Sequence, residues 1–186
     1  MSRAGTGESE QSMGDIFQRF YPDFYVVSAY GIPYETLYRQ GIRGLLFDID
    51  NTLVEHDQDA TERAAALMRR LKKIGFSVTF LSNNDEERVA RFNRDIGAAY
   101  ICKAGKPSVK SYLAAMERMH TDRSSTVFIG DQLFTDIWGA KRAGIRAYLV
   151  KPIAKHEEVQ IVLKRQLERV VLFFYCRKKR RERGRK

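Results

Sequence analysis

Gly44-Leu45-Leu46-Phe47-Asp48-Ile49-Asp50-Asn51-Thr52-Leu53 is the stretch that decides the fold. Its first four residues predict a short apolar strand, too brief and too uniformly apolar for a helix face. The strand runs straight into two carboxylates separated by one residue. If the backbone stayed extended through both, their side chains would point the same way. Two ionised carboxylates that close repel, so the chain must bring a compensating charge. A bound divalent cation is one such charge.

Downstream of Phe47 the pattern alternates. Residues 61–74 carry Ala64, Leu67, Met68, Leu71 and Ile74 at helical spacing, and Gly75 ends the run. Ser77 to Leu81 predicts a second buried strand, and residues 85–96 a helix with Val89, Phe92 and Ile96 on one face. Ala99 to Cys102 predicts a third strand. Pro107 is expected at a first helical position, followed by Val109, Leu113 and Met116. Strands at 126–129 and 146–150 flank a short helix, Asp136 to Ala143, closed by Gly144. Strands alternating with helices imply right-handed crossovers. The predicted fold is therefore α/β, a parallel sheet of about five strands with helices on both faces.

Upstream, residues 13–40 hold eight of the 21 aromatic residues: Phe17, Phe20, Tyr21, Phe24, Tyr25, Tyr30, Tyr34 and Tyr38. Pro22 and Pro33 interrupt them. These rings are expected to pack across one edge of the core, with an apolar lip for a lipid or a partner as the alternative. A last helix is expected over residues 157–176. The expected organisation is a disordered leader, 1–12, a single domain, 13–176, and a basic tail, 177–186.

Composition narrows the class. The chain has 186 residues, 44% hydrophobic and 30% charged, which suits one globular domain. Its two cysteines, Cys102 and Cys176, form no CxxC pair, so neither a disulfide framework nor a zinc site is indicated. A reducing, cytoplasmic setting is expected. Met1 to Ser12 lacks the basic-then-apolar order of a signal peptide. The net charge of +10 is uneven: residues 177–186 hold eight Lys or Arg against one Glu, so the tail carries +7 and the rest +3. The basicity thus belongs to an appendage.

In an open parallel sheet, ligands bind beyond the C-terminal strand ends. Those positions are polar here. They hold Asp48, Asp50 and Thr52, then Ser82, Asn83 and Asn84, then Lys106, then Gly130, Asp131 and Asp136. The four acids offer hard oxygen ligands suited to Mg²⁺. Asp131 could bind such an ion directly and Asp136 through water. Ser82 and Lys106 could supply a hydrogen bond and a positive charge to phosphate oxygens. Asn83 and Asn84 could contact substrate, or simply suit a turn. His56, His120 and His156 share no ligand spacing and are set aside.

This constellation resembles the haloacid dehalogenase (HAD) superfamily of phosphatases. Asp48-Ile49-Asp50-Asn51-Thr52 is similar to its DxDxT motif, Ser82 and Lys106 match the second and third motifs, and Gly130-Asp131 with Asp136 the fourth. Leu-Ser-Asn-Asn at 81–84, Glu87-Arg88-Val89, Gly-Asp-Gln-Leu-Phe-Thr-Asp at 130–136 and Pro152-Ile153-Ala154-Lys155 resemble the YqeG branch of subfamily IIIA. That branch includes mitochondrial phosphatidylglycerophosphatases. The resemblance implies a Rossmann-like fold and Mg²⁺ as cofactor. It implies Asp48 as the nucleophile that forms an aspartyl-phosphate and Asp50 as general acid and base. Thr52 would steady the loop, and Ser82 and Lys106 would hold the phosphoryl oxygens. Asp48, the Asp50 carbonyl and Asp131 would bind the metal, with Asp136 in support.

About 30 residues separate Asp50 from Ser82, and fewer separate Ser82 from Lys106. A loop and one helix fill each interval, so no large cap domain is expected. An uncovered site suggests a bulky substrate such as a phosphorylated lipid, with phosphatidylglycerophosphate implied by the resemblance. A soluble metabolite or nucleotide, or a non-catalytic scaffold, are the alternatives. The basic tail could be a solvated charge run, could dock on anionic lipid, or could bind RNA; the apolar stripe before it favours lipid over nucleic acid. Peripheral membrane contact through residues 157–186 is therefore expected.

Overall fold

The computed structural model describes residues 17–154 and 159–184. The expected leader, 1–12, lies outside them. Contacts divide the chain into two compact units, Pro22–Lys155 and a smaller one drawn from Met1–Tyr21 and His156–Lys186.

The larger unit is a parallel α/β sheet. Its strands are β1 (Phe24–Val26), β2 (Gly44–Phe47), β3 (Ser77–Leu81), β4 (Ala99–Ile101), β5 (Thr126–Gly130) and β6 (Arg146–Val150). Their spatial order is β1-β6-β5-β2-β3-β4, every neighbour parallel. The order reverses at β2: the chain steps outward through β3 to β4, then crosses back to β5 on the other side. That switch leaves a crevice at the C-terminal ends of β2 and β5, where ligands bind in such sheets. β2 and β5 are buried along their whole length, consistent with an apolar run covered on both faces.

The helices are α1 (Tyr34–Arg39), α2 (Glu62–Ile74), α3 (Glu86–Asn93), α4 (Val109–Arg118) and α5 (Trp138–Ala143). Local chemistry sets their ends. Thr61 and Asp85 accept hydrogen bonds from the amides of Ala64 and Arg88 at the starts of α2 and α3. Gly75 and Gly144 take the left-handed conformation that closes α2 and α5. α2 buries Ala64, Leu67, Met68 and Leu71, the residues its spacing selects. Pro107 is not at a first helical position: α4 starts at Val109, and the Lys106–Pro107 bond is cis.

A sixth strand, β1, lies at the sheet edge beside β6. Three residues next to Pro22 offer too short a pattern to be read as a strand from sequence. The aromatic segment divides accordingly. Tyr34 is fully buried, with Phe47 and Phe76 each 6.3 Å away between ring centroids, and Phe24 stacks on Tyr148 at 4.5 Å. Phe17 and Tyr21 belong to the smaller unit, where they meet Phe174 and Tyr175 of the last helix. That helix, α6 (Val159–Arg183), does not stop near Cys176; it carries the basic residues 177–183 as further turns. Among the described residues no helix is long and apolar enough to cross a membrane.

Candidate active site

Asp48 leaves the end of β2 with its amide donating to the Ile129 carbonyl of β5 at 2.9 Å. The chain then folds into a tight turn. The amides of Thr52 and Leu53 reach back to the Ile49 carbonyl, and Asn51 sits at φ 59°. Asparagine tolerates that conformation better than most residues. The turn at 51–53 follows Asp50, which still pairs in an isolated parallel bridge with Val54, and the two carboxylates meet different partners.

The Asp48 carboxylate meets Lys106. Lys106 Nζ donates to Asp48 Oδ1 at 2.6 Å and to Asp136 Oδ1 at 2.6 Å. All three side chains are buried. Thr52 Oγ1 lies 3.5 Å from Asp48 Oδ2 on the other side. Asp131, buried at the end of β5, completes the group: Asp48, Asp131 and Asp136 each bring a ligand oxygen within 4.8 Å of the others. Asp136 is placed by a wide π turn over Leu133–Ile137, and the Gln132 amide donates to its Oδ2 at 3.1 Å. Tyr112 donates to the main-chain carbonyls of Thr135 and Asp136 from below. Gly130 is required for space, since a Cβ there would stand 2.5 Å from Asp136 Oδ2.

These charges shift one another. Burial pushes the Asp48 carboxyl up to about 7, with Asp136 and Asp50 adding to the rise and Lys106 opposing it. Burial works against the charged form of Lys106, but Asp136 and Asp48 outweigh it and hold the ammonium charged. Three buried carboxylates around one ammonium call for more positive charge. Their oxygens are hard donors within reach of one another, so the residues present fit a divalent cation of the magnesium type.

The Asp50 carboxylate stands outside this group. Its Oδ1 accepts from Arg88 Nη2 at 2.8 Å and from the Asp57 amide at 2.9 Å, and its Oδ2 accepts from the Asn84 side-chain amide. Any metal contact by Asp50 therefore falls to its main chain, as the motif implies. His56 Nδ1 lies 4.0 Å from Asp50 Oδ1, nearer the chemistry than its isolated place in the sequence suggested.

Ser82 is buried at the end of β3 and accepts from the Asn84 amide at 3.2 Å. Asn83 and Asn84, expected to contact substrate, spend their amides on the protein. Asn83 clamps the Lys106 main chain, accepting from its N–H at 2.8 Å and donating to its carbonyl at 3.2 Å. Asn84 holds Asp50. Both thus position other site residues.

Arg88 is the site residue that sequence reasoning gave no role. A cation in the first turn of a helix faces the positive end of the macrodipole, an unfavourable place unless an acid pairs with it. That was the available signal.

The fold agrees with known proteins. A family model described as HAD-hydrolase-like matches residues 103–160. The "Probable phosphatase YqeG" of Bacillus subtilis is 38% identical over 160 residues, spanning 86% of this chain and 93% of that protein. "Phosphatidylglycerophosphate phosphatase 1, chloroplastic/mitochondrial" of Arabidopsis thaliana is 27% identical over 79% of this chain, which spans 45% of that protein. Among solved structures, the 3-deoxy-D-manno-octulosonate 8-phosphate phosphatase of Moraxella catarrhalis superposes with a TM-score of 0.50 at 15% identity. The match covers 65% of this chain and 76% of that one, and that crystal holds magnesium, phosphate and sugar. A phosphatase fold with a buried acidic pocket at its switch point is the class that emerges. The chain belongs to the HAD hydrolases, in the branch of phosphatases that includes YqeG.

Proposed function

We propose that this phosphatase is a Mg²⁺-dependent phosphomonoester hydrolase that works through an aspartyl-phosphate on Asp48, with a bulky lipid phosphate of the phosphatidylglycerophosphate kind as substrate. The observation that carries the chemistry is Lys106 bridging Asp48 and Asp136 at 2.6 Å each, in a buried pocket shared with Asp131.

Asp48 attacks phosphorus, and the bond from phosphorus to the leaving oxygen breaks. Asp50 protonates that oxygen, then takes a proton from the water that attacks the phosphoenzyme. Lys106 and Ser82 hold the equatorial oxygens. Asp48, Asp131 and Asp136, with the Asp50 carbonyl, would hold Mg²⁺. Bound there, the ion supplies positive charge beside the transferring group.

Three features support a large amphipathic substrate. No domain is inserted between β2 and β3 or between β3 and β4 to cap the crevice. Val27 and Ile153, 72% and 41% exposed, stand just past the C-terminal ends of β1 and β6. Ile153 also donates to the Asn51 carbonyl, which ties this apolar lip to the catalytic turn. The name of the Arabidopsis relative points to the same substrate. Contact with anionic lipid through the basic turns of α6 is part of the proposal, each cation near the surface being worth about 1 kcal/mol.

One panel tests it. Aryl phosphate, soluble alkyl phosphates and vesicle-borne phosphatidylglycerophosphate are assayed with and without Mg²⁺. Wild type is compared with Asp48→Asn and with the chain cut after Cys176. We expect Mg²⁺-dependent turnover that Asp48→Asn abolishes, preference for the lipid, and a loss on vesicles alone after truncation. Preference for a soluble phosphate overturns the lipid assignment; an active Asp48→Asn overturns the mechanism.

A further inference from the structure

The charge on Asp50 is managed by a second buried cation on a separate element. Arg88 enters from the first turn of α3, and its side chain is only 8% exposed. Nη2 donates to Asp50 Oδ1 at 2.8 Å and to the Gln58 carbonyl at 2.8 Å, and Nε lies 3.5 Å from Asp57 Oδ1. One turn on, Arg91 Nη2 donates to the Asp57 carbonyl at 2.9 Å, and its Nε pairs with Asp59 Oδ1 at 2.9 Å. Two arginines of one helix thus grip Asp50 and the loop 57–59 together.

A guanidinium cannot shed its charge, so a buried one must keep its acid close. Two atoms of the same grip then constrain one carboxylate: Arg88 and the Asp57 amide both reach Oδ1, while Asn84 holds Oδ2. The main chain that supplies the Asp57 amide is itself pinned by Arg88 and Arg91. Rotation of Asp50 would cost Arg88 its 2.8 Å carboxylate partner.

We propose that Arg88 is the positioning residue for Asp50. It fixes the carboxylate and its loop in the place from which Asp50 serves as base for hydrolysis of the phosphoenzyme. This rests on the acid and base role proposed for Asp50. In the step concerned, a water proton passes to Asp50, the water oxygen bonds to phosphorus, and the phosphorus–oxygen bond to Asp48 breaks. Inorganic phosphate and the Asp48 carboxylate result. A base displaced by about 1 Å loses roughly a hundredfold in rate.

The test separates the two chemical steps. With an activated aryl phosphate, leaving-group departure needs no acid, so kcat/KM reports formation of the phosphoenzyme and kcat its hydrolysis. For Arg88→Met we expect kcat to fall roughly tenfold to a hundredfold. kcat/KM should change little, with KM falling in step. Asp50→Asn should show the same split, larger, and the double variant no more than Asp50→Asn. Arg88→Lys, which keeps a cation but not the fork, should lie between wild type and Arg88→Met. Should Arg88→Met fail to fold, the split is read on Arg88→Lys, because an unchanged kcat/KM already rules out a shortage of folded enzyme. A parallel fall of kcat and kcat/KM in the Arg88 variants, with the split intact in Asp50→Asn, overturns the inference. Absence of the split in Asp50→Asn overturns the role given to Asp50 and this inference with it.

Discussion

Two centres in this molecule solve one problem differently. At the first, Lys106 from the end of β4 meets Asp48 and Asp136 in the interior, with Asp131 alongside. At the second, Arg88 and Arg91 of α3 meet Asp50, Asp57 and Asp59, running from the buried Arg88–Asp50 pair out to the exposed loop. The first is buried and short of positive charge, so it fits a metal. The second has nearly matched charges, and Asp57 and Asp59 are 65% and 64% exposed, so water completes the balance. Burial decides which carboxylates demand a cofactor and which need only a neighbour.

The contrast is sharpest at Lys106. Lys106→Met leaves Asp48 and Asp136 facing each other without their shared ammonium. Removing one partner of such a buried group costs about 3–5 kcal/mol of stability. If the ammonium holds the phosphoryl oxygens as proposed, its loss should lower kcat/KM by about 10²–10³. Thermal melts and steady-state kinetics measure both. A variant that melts and turns over like wild type would dissolve the distinction between the centres.

The metal-free protein should carry a pH signature of the first centre. The Asp48 carboxyl is raised from 3.8 to about 7 in the fold. Between those values the folded chain keeps a proton that the unfolded chain has released. The Asp48 contribution to stability therefore declines as pH rises from about 4 to about 7. The proton also competes with metal, so Mg²⁺ should raise the melting temperature more at pH 8 than at pH 5. Melts in chelator should show Asp48→Asn losing part of this slope; an unchanged slope removes Asp48 as its source.

The smallest effect belongs to the rim of the second centre. Asp57→Asn weakens pairs to Arg91 and, at 3.5 Å, to Arg88 from a carboxylate that is 65% exposed, a loss of about 0–1 kcal/mol, so Tm should drop by no more than about 4 °C. The Asp57 amide that holds Asp50 remains. A larger drop in a thermal melt would mean that Asp57 acts as part of a buried network.

Much of this was legible in order along the chain. Alternating apolar runs and helical spacing set five of six strands and the polar residues at their ends. The missing strand, Phe24–Val26, is three residues long and is recognisable only by its pairing with Tyr148 to Val150. Helix α6 outruns the expected Cys176 boundary because lysine and arginine are good helix formers; a charge run need not end a helix.

What the sequence by itself determined was which residues stand at the C-terminal edge of the sheet, since that follows from local period and strand ends. Partnership was decided by the tertiary structure. Asp48 and Asp50 sit two apart, yet one pairs with a lysine 58 residues away and the other with an arginine 38 residues away. Asn83 and Asn84, adjacent in the chain, brace different centres. The physical reason is that a tight turn after β2 redirects successive side chains, and crossovers choose which distant strand end each one meets.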